Sequence, residues 1–454
     1  MKLLTKGNAF KVLFKFSIPL IISGLLVQTY NLVDLIIAGK CIGDDALSAT
    51  GCTTTFIQFA SSLFWGFGVA VGTVCGQYFG SNEKEKIINV IKSSIILDTL
   101  IMFFICVACV LLSDFILQLL KVDQLIFENA KIYFCVYLCA LFFQSIYYQI
   151  DCILQSLGNS RYPMITTIVS CLINIIFNLV FVLVFNLGVL GLALASVLSS
   201  LVGLVMGLIK ICLTIKELGG KYNISFNNAS LKPVYKIALP CILQQSSLYL
   251  SSLVVQPFIN GLGKDVSAGY SIAMNINLFF NSIYHGVARA VASYSSQSKG
   301  EKLYKNYSKG IGIGLLQQII LCLPFAIICF IIPNEVCSIF LNTKDSACLP
   351  YATQFIYLCL PFLVFICIGN LMHSFYKSVG AVKSVLISTI IFTIARIVLT
   401  YVLPNTSYLF SVYLALSLAW VVEAIVLGVI YFTRIWQDKD EKEALKNNKS
   451  KVAI

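Results

Sequence analysis

Residues 15–51 have the sequence KFSIPLIISGLLVQTYNLVDLIIAGKCIGDDALSATG, in which a long apolar run carries one carboxylate, Asp34, far from either end. The run is as long as the roughly 20 residues that a membrane-spanning helix needs. A carboxylate at that depth costs about 3 kcal/mol on insertion scales and usually marks an ion or proton pathway. Tyr30 precedes Asp34 by one helical turn, so the two side chains share a face. We interpret Asp34 as an ion or proton site; the alternative is a structural aspartate hydrogen-bonded to a neighbouring helix.

The composition of the whole chain extends this interpretation. Of 454 residues, 58% are hydrophobic and only 11% are charged, whereas soluble domains carry about 25% charged residues. The sequence therefore predicts an all-α polytopic membrane protein with twelve spans. They are expected near residues 12–38, 47–75, 89–113, 132–154, 162–186, 189–213, 235–260, 267–294, 308–333, 351–373, 383–403 and 408–434.

Basic residues give the predicted orientation. If the N-terminus is cytoplasmic, 25 of the 32 Lys and Arg residues fall on cytoplasmic segments and 5 in outer loops, while Arg289 and Arg396 lie within spans. Such a bias is typical of cytoplasmic loops, so both termini are predicted to be cytoplasmic. The net charge of +12 is then explained by contact with anionic membrane lipids, and no nucleic-acid partner is expected.

An internal repeat relates the two halves of the chain. Pro19 returns as Pro240, Gly80 as Gly300 and Gly158 as Gly380, with offsets of 221, 220 and 222 residues. We predict two pseudo-symmetric six-helix lobes, with a substrate site between them near the membrane midplane. The predicted divisions are an N-terminal lobe, a cytoplasmic linker, a C-terminal lobe and a cytoplasmic tail, at residues 1–213, 214–234, 235–436 and 437–454.

Amides and hydroxyls inside the predicted spans are candidates for ligand contacts. Asn174 and Asn178 are four residues apart on span five, and span six carries Ser196. Their oxygens suit a hard cation such as sodium when a carboxylate such as Asp34 adds charge. Hydrogen bonding between helices explains buried Asn and Ser equally well, and spacing alone leaves both interpretations open.

Spans seven and eight are unusually polar. Gln245, Gln256 and Asn275 lie on them among many other amides and hydroxyls. Because a helix facing lipid would not tolerate so many polar groups, we predict that these three side chains line a substrate cavity.

The remaining ionisable residues in the spans have no spacing typical of catalysis. We expect Asp98, Asp151 and Glu423 to have structural roles or local partners, and the two histidines, His285 and His373, to be packed or to face the pore. No Walker motif is present. The sequence therefore predicts no enzyme and no cofactor, and no metal beyond a sodium site.

The chain resembles the multidrug and toxic compound extrusion family over residues 16–436. The motifs that carry the resemblance are Ile18-Pro19, Tyr30-Asn-Leu-Val-Asp34, Ile42-Gly43, Gln77-Tyr-Phe-Gly80, Leu157-Gly158, Arg161-Tyr-Pro163, Asn174, Pro240, Gln244-Gln245, Asn260, Gly263 and Gln297. The resemblance implies two six-helix lobes around a central cavity. It also implies secondary active export of amphipathic, often cationic small molecules, driven by sodium or protons.

The resemblance further implies a cation site in the N-terminal lobe, made by Asp34, Tyr30, Asn174, Asn178 and Ser196. Position 178 is commonly aspartate in the family, and here it is asparagine. One formal charge is lost, which leaves the choice between sodium and protons open. The resemblance also implies a monomer in the cytoplasmic membrane of a prokaryote, and a kink in span one at Pro19.

Two other functions are weighed. A flippase for lipid-linked precursors, from the same broad superfamily, would need cationic residues to hold a pyrophosphate, and Arg289, Lys377 and Arg396 are the candidates. An integral membrane enzyme, the alternative from another class, would need a cluster of catalytic residues that the sequence does not contain.

Overall fold

The computed structural model describes residues 2–120, 122–221, 223, 225–340, 347–403, 409–437 and 441–442. Across these residues the secondary structure consists of helices and turns, with no strand. Fifteen α-helices, α1–α15 in chain order, are Ala9–Ile37, Asp44–Gly80, Lys84–Leu111, Ser113–Leu119, Phe127–Ser156, Arg161–Leu179, Gly188–Glu217, Asn228–Gly261, Lys264–Gly300, Asn306–Ile331, Pro333–Ser338, Leu349–Cys359, Leu363–Ser378, Val382–Val402 and Phe410–Thr433.

The predicted all-α fold is confirmed, and every predicted span coincides with a long helix or a helix pair. Eleven of these are long and apolar enough to cross a membrane, within the part of the chain that is described. The remaining predicted span is α9, whose 37 residues give ample length but whose composition is more polar. Span ten is built from α12 and α13, joined by a single 3₁₀ turn at Leu360–Phe362.

The repeat predicted from the sequence is visible in the backbone. Gly43 and Gly263 have φ angles of 130° and 116°, and Gly158 and Gly380 have φ angles of 82° and 79°. Only glycine adopts these conformations without steric cost. Each half of the chain therefore turns at the same two places, after its first and its fourth long helix.

The chain forms two compact units. The first unit contains residues 1–3 and 22–242, and the second contains residues 4–21 and 243–454. Two helices therefore contribute to both units, α1 with a boundary after Ile21 and α8 with a boundary after Ile242. The predicted lobe boundaries, at 213 and 235, lie near the ends of helices, so they do not divide α1 or α8 between two units. The predicted division stays a prediction about the arrangement in the membrane.

The first half of α1 belongs to the second unit and the first half of α8 belongs to the first unit; we call these the exchanged half-helices. Each packs closely against a glycine of its own unit. In the first unit, a Cβ added to Gly66 of α2 would lie 2.6 Å from the backbone nitrogen of Ile242. In the second unit, a Cβ added to Gly286 of α9 would lie 2.9 Å from the backbone nitrogen of Ile21. Small residues allow helix backbones to approach this closely. The two contacts are related by the repeat, since Gly286 follows Gly66 by 220 residues and Ile242 follows Ile21 by 221.

The predicted linker and tail are only partly described. The linker at 214–234 overlaps the end of α7 and the start of α8, which leaves residues 218–227 between the two helices. Of the predicted tail, 437–454, only residues 437 and 441–442 lie within the described chain. Glu441 is buried there and accepts a hydrogen bond from the hydroxyl of Tyr307 at 3.1 Å, with Nζ of Lys299 at 3.3 Å.

Candidate ion-coupling site

The centre of the candidate site is a hydrogen-bonded group formed by Asp34 of α1 and two asparagines of α6. The amide nitrogen Nδ2 of Asn178 donates to Oδ1 of Asp34 at 2.5 Å and to Oδ1 of Asn174 at 3.0 Å. Both asparagines are buried, and Asp34 is half-buried. All three residues belong to the first unit. The structure thus brings together three of the five residues predicted for the ion site.

The backbone is irregular shortly after Asp34 and again shortly after Asn178. Residues Ala38–Ile42 form a π-helical turn that continues α1, four residues after Asp34. A second π-helical turn, Val180–Val184, continues α6 two residues after Asn178. Such turns are rare in proteins, and those that occur are often found at functional sites. Ile37, Ala38, Val182 and Leu192 pack in one apolar cluster beside these turns.

The other two residues predicted for the ion site, Tyr30 and Ser196, do not take part in the hydrogen bonds between Asp34, Asn174 and Asn178. Tyr30 lies within electrostatic range of Asp34, although its hydroxyl makes no hydrogen bond to that carboxylate. Ser196 of α7 is buried, and its hydroxyl donates to the backbone carbonyl of Leu192 at 3.2 Å. The serine hydroxyl is therefore engaged with its own helix in this conformation and must rotate to contact a ligand.

Two tyrosines of α5 also lie near Asp34 and were missed by the sequence analysis. Tyr133 and Tyr137 stack with their ring centroids 5.4 Å apart, and both lie within electrostatic range of Asp34. Their only sequence signal is the i, i+4 spacing on one span, which a chain with 22 tyrosines does not make distinctive.

Polar atoms without partners show what the group could bind. Oδ1 of Asn178 and Nδ2 of Asn174 are buried and have no hydrogen-bond partner among the described residues. Buried polar atoms are normally satisfied, and an exception calls for an explanation. The side-chain amide of Asn178 can rotate so that its oxygen, and not its nitrogen, faces the Asp34 carboxylate. The donor set would then be a carboxylate and amide oxygens, which suits a hard cation or a proton shared with Asp34.

The residues predicted to line a substrate cavity all belong to the second unit. Gln245 and Gln256 lie on α8 and Asn275 on α9, and all three are half-buried. Nδ2 of Asn275 donates to the backbone carbonyl of Ser271 at 3.0 Å. Their role in lining a cavity stays a prediction.

The remaining buried acids have local partners. The carboxyl group of Asp98 is buried beside the hydroxyl of Ser145, and that of Asp151 lies within hydrogen-bonding distance of Tyr147. Oε1 of Glu423 lies 3.3 Å from Nε2 of His373. The same His373 nitrogen lies 2.9 Å from the hydroxyl of Ser388. Oδ2 of Asp98 has no hydrogen-bond partner among the described residues, and the structural role expected for the three acids stays a prediction.

Comparison with known proteins places this architecture in a family. The MatE family model matches residues 19–180 and 240–402, one match in each half of the repeat. The multidrug export protein MepA of Staphylococcus saprophyticus is 22% identical over 449 residues, which is 97% of this chain and 98% of that protein.

Solved structures show the same fold. A MATE transporter in complex with MaL6 superposes with a TM-score of 0.89 at 20% identity, covering 97% of this chain and 98% of the other. A point mutant of the MATE transporter VcmN from Vibrio cholerae gives a TM-score of 0.88 at 17% identity, covering 95% and 98%. Since the two matches of the family model together cover most of the chain and are in register with the repeat, the chain belongs to the MatE family of multidrug and toxic compound extrusion transporters and is not an enzyme.

Proposed function

We propose that this transporter exports amphipathic, cationic drugs or metabolites and couples their export to inward movement of sodium or protons at Asp34. The observation that carries the proposal is the group formed by Asp34, Asn178 and Asn174, in which a carboxylate faces two amides with unpartnered atoms. A carboxylate placed in a membrane span is retained at an energetic cost. A coupling ion that binds there would offset that cost.

The proposed cycle follows from the charge of Asp34. An ion or proton neutralises the carboxylate in one conformation, and its release in the other restores the charge. Coupling requires that the ion bind the two conformations with different affinities. Rotation of the Asn178 amide supplies such a difference, since its nitrogen supports a free carboxylate and its oxygen supports a bound cation.

Asn178→Asp tests the choice of coupling ion. A second carboxylate beside Asp34 adds a formal negative charge to the donor set, and hard cations prefer carboxylate oxygens. We expect the sodium concentration for half-maximal export to fall about tenfold, which corresponds to about 1.4 kcal/mol. Export from proteoliposomes is measured with sodium and proton gradients imposed separately. Asn281→Asp, a similar change on α9 in the second unit, is the control; an equal effect of both variants would contradict the assignment.

The membrane arrangement is part of the same proposal. We infer a monomer in the cytoplasmic membrane of a prokaryote, surrounded by lipid, with a small-molecule substrate, no nucleic acid and both termini cytoplasmic. The excess of basic residues on the segments assigned to the cytoplasm supports the orientation of the termini.

Cysteine labelling tests the orientation. Asp45 at the start of α2 and Lys216 near the end of α7 are both exposed, and the proposal places Asp45 outside and Lys216 inside. In a background without native cysteines, we expect a membrane-impermeant maleimide added to intact cells to label Asp45→Cys and to leave Lys216→Cys unlabelled until the cells are opened. Labelling of both positions from outside would contradict the orientation.

The flippase alternative depends on three basic residues of the second unit, of which Arg396 is buried and Arg289 and Lys377 are half-buried. Nη2 of Arg289 donates to the backbone carbonyl of Leu20 at 3.3 Å, and Nζ of Lys377 donates to Oε1 of Gln244 at 2.6 Å. Both contacts hold the side chain to a neutral acceptor in its own unit. Export of a fluorescent cation in the assay above, with no movement of a lipid-linked pyrophosphate, favours drug export over the flippase.

A further inference from the structure

A buried arginine in the second unit has only hydroxyl groups as side-chain partners. Arg396 lies in the C-terminal half of α14 and is 7% exposed. Its Nη1 donates to the hydroxyls of Ser251 at 3.4 Å and Ser252 at 3.3 Å, and its Nη2 donates to the hydroxyl of Tyr270 at 3.3 Å. The Tyr270 ring is held in turn by stacking on Tyr413, with centroids 6.1 Å apart.

These contacts leave the charge of Arg396 without a counter-ion. No carboxylate of the described residues forms an ion pair with it. Charge-assisted bonds from a guanidinium to an oxyanion are typically about 2.7–2.9 Å long, and all three contacts here are longer. Buried charges are normally paired because an unpaired one is costly. Arg396 therefore has the surroundings of a group that receives its anion from outside the protein.

The repeat shows where this arginine sits. Arg396 follows Asn174 by 222 residues, and Ser251 and Ser252 follow Tyr30 and Asn31 by 221. These offsets are those that relate Gly158 to Gly380 and Pro19 to Pro240. The position that carries an amide beside Asp34 in the first unit thus carries a guanidinium in the second. At this position of the repeat the first half is therefore neutral and the second half is positively charged.

We propose that Arg396, Ser251, Ser252 and Tyr270 form an anion-accepting subsite that binds the carboxylate of an amphipathic, zwitterionic substrate. The planar guanidinium presents donors in a fork that matches a carboxylate. The subsite is open at one end, because Ser252 is exposed whereas Ser251 is fully buried. This inference rests on the proposed function as an exporter and narrows its substrates to molecules that carry a carboxylate as well as a cation.

The test uses a matched pair of dyes, rhodamine 110 and its methyl ester rhodamine 123, which differ in the presence of a free carboxylate. Binding to the purified full-length protein is measured by fluorescence anisotropy without any ion gradient. We expect wild type to bind both dyes. Arg396→Gln should weaken rhodamine 110 about tenfold or more, as expected for loss of a hydrogen bond between charged groups, and should change rhodamine 123 little. Arg396→Lys should lie between, since it keeps the charge and loses the fork.

Two further variants test whether Arg396 binds an anion or only stabilises the fold. Ser252→Asp places a carboxylate next to the guanidinium, so it should exclude rhodamine 110 selectively while Arg396 stays in place; this variant serves if Arg396→Gln does not fold. Arg434→Gln removes an exposed guanidinium of the same unit and should leave both dyes unchanged.

The proposal is overturned if Arg396→Gln weakens both dyes by the same factor, if it weakens neither, or if wild type fails to bind rhodamine 110. Failure of the proposed function looks different. In that case the dyes bind with the expected selectivity, but no sodium or proton gradient drives their export.

Discussion

Asp34→Asn should reduce ion-driven export to the level of liposomes without protein. The substitution keeps the size of the side chain and its ability to accept the hydrogen bond from Nδ2 of Asn178, which is 2.5 Å long in the wild type. It removes the only formal charge in that group. The ion then loses its one charged ligand, and hard cations prefer carboxylate oxygens, so ion affinity should fall at least about tenfold, which corresponds to about 1.4 kcal/mol. Without an ion that distinguishes the two conformations, no coupling remains.

The measurement is dye or drug efflux from proteoliposomes, with sodium and proton gradients imposed separately. Asp98→Asn is the control, because Asp98 is a second span carboxylate of the first unit and lies beside Ser145; it is buried, whereas Asp34 is half-buried. The control should export at close to the wild-type rate. If Asp34→Asn exports at the wild-type rate under both gradients, the coupling site lies elsewhere. Size-exclusion chromatography shows whether each variant is folded.

Much of this site could be predicted, for physical reasons that apply to the membrane interior. A carboxylate in an apolar run is so costly that Asp34 is conspicuous in the sequence alone. The family resemblance then connected it with Asn174 and Asn178, which residue spacing could not do, because α1 and α6 are far apart in the chain. Tyr133 and Tyr137 were missed, since aromatic residues in a span give no signal of which neighbour they face.

Some features of the fold could also be predicted from the sequence, and others could not. Helix positions follow from hydrophobic length, and the distribution of Lys and Arg supports the number of spans; α9 is in the predicted list although its composition is more polar than that of the other spans. The exchange of half-helices between the units could not be predicted. It depends on where the backbones of α2 and α9 approach other helices, and Gly66 and Gly286 look like any other glycines in the sequence. Their equivalence becomes informative only when Ile21 and Ile242 are seen beside them.

Those two glycines give a prediction about stability. Gly66→Ala and Gly286→Ala should each lower the free energy of unfolding by about 1–3 kcal/mol, the usual cost of overpacking. The reason is that the new Cβ would lie 2.6 Å from the Ile242 nitrogen or 2.9 Å from the Ile21 nitrogen, and backbone atoms cannot move aside as a side chain can. The two helices must then separate at the point where α8 or α1 passes from one unit to the other.

Two control glycines, one in each unit, show whether a loss of stability comes from crowding, because alanine should not destabilise the protein at an open position. A Cβ at Gly51 of α2, or at Gly428 of α15, would have no atom within 4 Å. Alanine is favoured over glycine in a helix by about 1 kcal/mol, so Gly51→Ala and Gly428→Ala should be neutral or stabilising. Thermal unfolding of the purified variants, followed by the loss of monodisperse protein, measures the difference. If Gly66→Ala and Gly286→Ala are as stable as the two controls, close backbone packing does not hold the exchanged halves in place.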